Sequence, residues 1–140
     1  MRDGSFHGSL LWALDRTCTA MGGRALRRWL LEPLLNIKGI VARQNTIEQL
    51  IENPSLRQDI RQLLRSIYDL ERISGRVGAG TANARDLLSL AESLVKLKEL
   101  AELASQGDSP YLKALQNVPP DLEKLGQYVI DHLVESPPYI

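Results

Sequence analysis

The sequence predicts an all-α fold, a single domain of about seven helices with short connections and no sheet. Three observations lead there. Apolar residues recur at three- and four-residue spacing in every long segment, and none sustains the period-two alternation of a strand. The breaks between segments carry Ser, Thr and Asn caps, proline and glycine, the punctuation of helix ends. The hydrophobic fraction is 44% with one Phe, so the core must be built from Leu, Ile, Val and Ala.

In chain order, Ser9 caps a short first helix through Leu10, Leu11 and Leu14. A second helix starts near Thr19 and stops by Pro33, because a proline disfavours helical geometry in the residue before it. A third runs from about Ile37 to Glu52, with Ile40, Val41, Ile47, Leu50 and Ile51 expected on its inner side. After Asn53-Pro54, the residues Leu56, Ile60, Leu63, Leu64 and Ile67 form one apolar stripe. A further helix carries Leu70, Ile73 and Val77, and Gly75, Gly78 and Gly80 mark the break that follows. Asn83 caps the longest helix, with Asp86 in the favourable first turn. Its row Leu87, Leu90, Leu94, Leu97, Ala101 and Ala104 is spaced as in a coiled-coil seam, and Leu88, Ala91 and Val95 widen it enough for a second neighbour. Residues 106–110 form a turn. A short helix through Leu112 and Leu115 stops before Pro119-Pro120. The last helix starts near Pro120 or Asp121, buries Leu122, Leu125, Val129, Ile130 and Leu133, and ends before Pro137-Pro138. Residues 1–5 resemble a loop entered from elsewhere and Tyr139-Ile140 stops abruptly, so the chain reads as a piece of a longer protein.

Composition narrows the function. With 140 residues, 17 basic and 17 acidic, the chain lacks the basic excess of a dedicated nucleic-acid binder. A domain of this size buries roughly 68–70% of its unfolded surface. One cysteine excludes an internal disulfide and a multi-cysteine zinc site, and His7 and His132 are too far apart for a local metal pair. No apolar run approaches about 18 residues, and no signal pattern opens the chain, so a soluble, reduced, cytoplasmic domain is expected. The run from Gly75 to Thr81 mimics a phosphate loop but lacks its lysine and the preceding strand, and reads as a helix stop. Cys18 has no neighbouring base and reads as an inert thiol. No residue is assigned to catalysis, to a cofactor or to a metal.

Two segments interleave charge with apolar residues. In one, Arg24, Arg27 and Arg28 flank Leu26, Trp29 and Leu30; in the other, Asp69, Glu71 and Arg72 alternate with Leu70 and Ile73. An arginine set against a core needs a carboxylate or carbonyl for its planar fork of donors. Asp69 and Glu71, two apart, should point to different sides of a helix, and their better use is to meet arginines. Arg72 and Arg76 come from nearby turns; Arg16, Arg27, Arg28 and Arg43 could come from other helices. The expectation is a polar seam of Asp15, Arg16, Arg27, Arg28, Arg43, Asp69, Glu71 and Arg72, with the pairing open. The plain alternative is a scatter of solvent-facing pairs, each contributing about 0–1 kcal/mol.

These segments also carry a resemblance. Asp15-Arg16-Thr17, Met21-Gly22, Arg27-Arg28-Trp29-Leu30 and Pro33-Leu34 resemble the signature opening the core domain of MutS, the DNA mismatch repair ATPase family. Arg43-Gln44 with Ile47 and Leu50, then the blocks starting at Tyr68 and at Asn83, follow in the family's order, and Phe6-His7-Gly8-Ser9 fits its lead-in. The asparagine-leucine stretch upstream of that lead-in is missing, and Cys18 stands where members often carry a β-branched residue. The resemblance implies the first part of the helical core, or lever, domain, without the mismatch-binding, clamp and ATPase domains. It implies no enzyme activity in this piece, ATP and Mg in the missing ATPase domain, and mismatched duplex DNA and a second MutS subunit as partners through missing domains. It also implies a bacterial cytosolic setting, nucleoid-associated on DNA. The role expected of the seam is to fix how the helices stack and so couple DNA binding to ATP hydrolysis. A free-standing helical interaction module is the rival, and a nucleic-acid-binding helical domain a third reading. Missing neighbours should leave apolar patches along Leu88, Val95 and the last helix.

Overall fold

A computed structural model of the chain describes residues 6–133. The described residues form eight helices and no strand: α1 Leu10–Leu14, α2 Ala20–Leu31, α3 Ile37–Glu52, α4 Pro54–Arg65, α5 Leu70–Gly78, α6 Ala84–Ala104, α7 Pro110–Gln116 and α8 Pro120–His132. The readings for residues 1–5, for Pro137-Pro138 and for Tyr139-Ile140 lie outside the described residues.

Helix starts follow local chemistry. Ser9, Thr19, Asn36 and Asp69 each accept a backbone N–H of the first turn that follows, satisfying a donor the helix itself leaves unpaired. Asn83 and Asp86 exchange hydrogen bonds in a reciprocal capping box. Pro54, Pro110 and Pro120 open their helices at the position where a missing N–H costs nothing. Gly75 and Gly78 lie inside α5 rather than in the break that follows it; the chain turns at Gly80, whose φ of 68° suits a residue without Cβ.

The core gathers Leu56, Ile60, Leu63 and Ile67 against Leu100 and Ala104 of α6 and Leu112 of α7. The long α6 is the spine: α8 lies along most of it, and α4, α5 and α7 contact it elsewhere. Glycine sets the closest approach. A Cβ on Gly126 would fall 2.8 Å from the Ala91 carbonyl oxygen and 3.0 Å from Val95 Cγ2, so α8 can lie this near only with glycine there.

Three surface expectations change. On α3 the side turned inward carries Ile40, Arg43, Thr46, Gln49 and Leu50, whereas Val41, Ile47 and Ile51 face out. The cause is polar: Thr46 Oγ1 accepts the Tyr111 N–H at 3.4 Å, and Gln49 spans the turn before α7, accepting from Ser109 N and donating to Asp108. Anchoring that turn fixes the rotation of α3 and leaves its isoleucines on the opposite side. Leu88 and Val95 are half-buried rather than open, since α8 covers α6. On α8 it is Leu125, expected inside, that faces out together with Tyr128.

Candidate functional site

The eight residues expected in one seam do not form one. Asp69 and Glu71 are the two that share a partner, and that partner is Arg24. Its Nη2 lies 2.7 Å from both Asp69 Oδ1 and Glu71 Oε2, its Nη1 donates to Asp69 Oδ2 at 2.8 Å, and its Nε to Glu71 Oε2 at 3.1 Å. One guanidinium thus makes a bidentate grip on one carboxylate and a second grip on the other. The two-apart rule fails because Asp69 precedes the helix: it is the N-cap of α5, with ψ 81°, and its side chain leans to the same side as that of Glu71. The Arg24 hydrogen bonds, helped by the Arg72 N–H, hold the Asp69 carboxyl down to about 2, below its ordinary 3.8. The same contacts hold the Arg24 guanidinium charged more firmly still.

The remaining six go elsewhere. Asp15 accepts the backbone N–H and the hydroxyl of Thr17, at 2.9 and 2.7 Å, which closes the turn before α2 and lowers its own carboxyl pKa. Arg16 donates to the Asp15 carbonyl and offers its own carbonyl to Arg61 on α4. Arg27, Arg28 and Arg72 are exposed, and among the described residues their side chains form no ion pair. Facing water, they need no buried carboxylate. Arg43 meets no acid either. Its guanidinium carbon sits 3.6 Å from the centroid of the Trp29 ring, and its Nε donates to the Tyr111 hydroxyl at 3.3 Å. Trp29 and Tyr111 also meet edge to face, at 6.4 Å between centroids. Arg76 pairs with Asp86 at 3.0 Å, binding the end of α5 to the start of α6.

The geometry singles out α2. None of its residues is buried, and its backbone keeps extended contact only with α1. The α3–α8 body holds it at two places: near the start through Arg24 to Asp69 and Glu71, and near the end through Trp29 to Arg43 and Tyr111. Met21 lies against the edge of the core between the caps and the first latch. The sequence marks both acids as in need of a cation but not Arg24 as their ligand. It marks Arg43 but not its aromatic partners, because contacts across many tens of residues follow from helix placement alone.

Cys18 is half-buried. Among the described residues no group of three or more His, Cys, Asp or Glu side chains could hold a metal ion, and no helix is long and apolar enough to cross a membrane.

Comparison with known proteins agrees in kind. The family model of MutS domain III matches residues 1–140. The DNA mismatch repair protein MutS of Microcystis aeruginosa is 77% identical over 138 residues, covering 99% of this chain and 16% of that protein. The protein of the same name in Synechocystis is 71% identical over 138 residues, and that of Nostoc punctiforme 69% over 140, each again covering 16% of the relative. No solved structure matches. The chain therefore spans about 16% of the length of these relatives. An all-α body, the order of its charged blocks and this near-complete match lead to one conclusion: the chain belongs to the MutS domain III family.

Proposed function

We propose that the chain is a structural and allosteric connector in a mismatch repair ATPase, coupling mismatched-DNA binding in one region to ATP binding and hydrolysis in another. A connector transmits only if it has separable parts whose arrangement both sites can bias. The observation that carries this reading is the attachment of α2: a helix with no buried residue, held to a packed body by the Arg24 and Trp29 latches, by Met21 at the edge of the core and by the Arg61 contact to the turn before it. Breaking an exposed ion pair and a cation–π contact costs far less than opening the leucine core, so α2 is the part that can shift as a unit. In this reading ATP, Mg, the mismatch itself and a second subunit are engaged by regions outside the chain, in the cytoplasm. The exposed Ile37, Val41, Ile47 and Ile51 of α3 give those regions an apolar face to dock on.

The test is the ATPase rate of the full-length protein, with and without mismatched duplex, in Arg24→Met and Arg43→Met variants. The expected outcome is a basal rate retained and a stimulation by mismatched DNA reduced several-fold. Unchanged stimulation in both variants would overturn the proposal.

A further inference from the structure

Helix α4 carries a row of guanidiniums that neither the core nor the latches use. Arg57, Arg61 and Arg65 recur every four residues along one face, about 6 Å apart along the axis, and with Pro54, Gln58 and Gln62 they line a shallow groove of about 460 Å³. Among the described residues none of the three is paired with a carboxylate. Asp59, the acid of this helix, lines a different depression together with Lys96 and Glu99.

Two of the three are braced. Arg57 gives Nη1 to the carbonyls of Leu50 and Ile51, at 2.9 and 3.5 Å, and Arg61 gives Nη2 to the Arg16 carbonyl at 3.1 Å. A guanidinium has five donors and no acceptor, so each brace leaves most of the fork for a ligand while fixing where it points. The ligand must therefore be an acceptor, anionic and extended.

The choice between an acidic protein and a nucleic acid rests on what the groove lacks. Specific protein partners bind around buried apolar or aromatic anchors, and no large apolar or aromatic side chain lines this groove. A phosphate backbone needs none: it is held by arginines and polar side chains without regard to sequence. The 6 Å repeat of the row is also close to the rise of two base steps along a duplex strand, about 6.8 Å. We infer that the Arg57–Arg61–Arg65 face of α4 is a docking surface for the phosphodiester backbone of duplex nucleic acid. It coexists with a chain of zero net charge because the charge is concentrated in a stripe. The inference does not depend on the connector reading.

The deciding experiment puts a photo-crosslinking amino acid in place of Gln62 in the intact protein, and in a second preparation in place of Glu48 on α3. Irradiation with labelled duplex should give a protein–DNA adduct from the first position and little from the second. The adduct should fall with added salt and in an Arg65→Gln background, a substitution that removes no brace. In titrations of labelled duplex with the intact protein, the log–log dependence of affinity on salt should be shallower by about one unit in Arg65→Gln than in the wild type. Replacing all three arginines by lysine should keep the binding, and replacing them by glutamine should weaken it about tenfold or more. Adducts at position 62 that contain only protein, equal DNA adducts from both positions, or a slope unchanged in Arg65→Gln would each overturn the inference.

Discussion

Ser93 shows how much a single small side chain can hold. It is fully buried in the middle of α6, where its hydroxyl donates to the Ser89 carbonyl at 2.8 Å and accepts the Tyr68 N–H at 3.0 Å. That N–H belongs to the connection between α4 and α5, which the serine pins to the spine. Ser93→Ala should cost about 0.5–1.5 kcal/mol, the net worth of a hydrogen bond, because it takes the partner from the part-buried Tyr68 N–H; urea midpoints at constant m-value measure it. Asp69 allows a second test, since asparagine caps a helix about as well as aspartate. Asp69→Asn therefore removes the charge facing Arg24 and keeps the cap. The native carboxyl titrates near 2 and the unfolded one near 3.8, so its contribution is full above pH 3.8 and disappears as pH falls through 2. The stability gap between the wild type and Asp69→Asn should be constant at neutral pH and close between about pH 4 and pH 2. A gap that stays level through that window would mean that the substitution acts through something other than charge. From sequence, Asp69 and Glu71 were legible as acids that need a cation. The identity of the cation was not, because Arg24 reaches them only after α2 has been laid across the start of α5.

At the scale of the element, helix boundaries were largely written into local chemistry. Caps at Ser9, Thr19 and Asn83 and prolines at Pro54 and Pro120 placed the starts, whereas Pro110, expected in a turn, opens α7. Faces were harder. The stripe Leu56, Ile60, Leu63 and Ile67 was read correctly because it is broad, regular and lies opposite charge. The α3 helix has apolar residues nearly all round, so periodicity could not rank its sides, and Thr46 with Gln49 decided the question. Gly126 has a similar lesson. Alanine there would gain about 1 kcal/mol of helix propensity, yet its methyl would meet a backbone oxygen that no rotamer change can move. Overpacking of this kind costs about 1–3 kcal/mol, so Gly126→Ala should lower the melting temperature and loosen α8 from α6. Hydrogen exchange in α8 would then quicken first. The second latch is also an element-level feature, since Arg43 links α2, α3 and α7. Arg43→Met should lose about 0.5–2 kcal/mol and shift Trp29 emission, which is read cleanly in a Trp12→Phe background.

For the whole molecule, the division between a packed body and a lightly attached α2 matters more than any single contact. The leucine-rich core is drawn from α3 to α7, with α8 packed along α6 and only Met21 of α2 reaching its edge. The α1–α2 arm adds no buried residue. Limited proteolysis should accordingly cut first in the turns that flank α2, and Arg24→Met should accelerate that cleavage while leaving the body resistant. Exposed Leu31, Leu35, Ile37 and Ile51 extend an apolar surface from the end of α2 onto α3, the kind of patch that marks a contact with other protein. By itself the sequence determined the fold class, most of the helix starts and membership of the MutS domain III family, because periodicity, caps and ordered residue blocks are local and survive without knowledge of packing. Tertiary structure alone decided which guanidinium meets which carboxylate, which side of α3 faces in, and that α2 rides on the surface. Those depend on the relative placement of helices distant in sequence, where one added methyl at Gly126 or one hydroxyl at Thr46 sets distances that no pattern in the chain records.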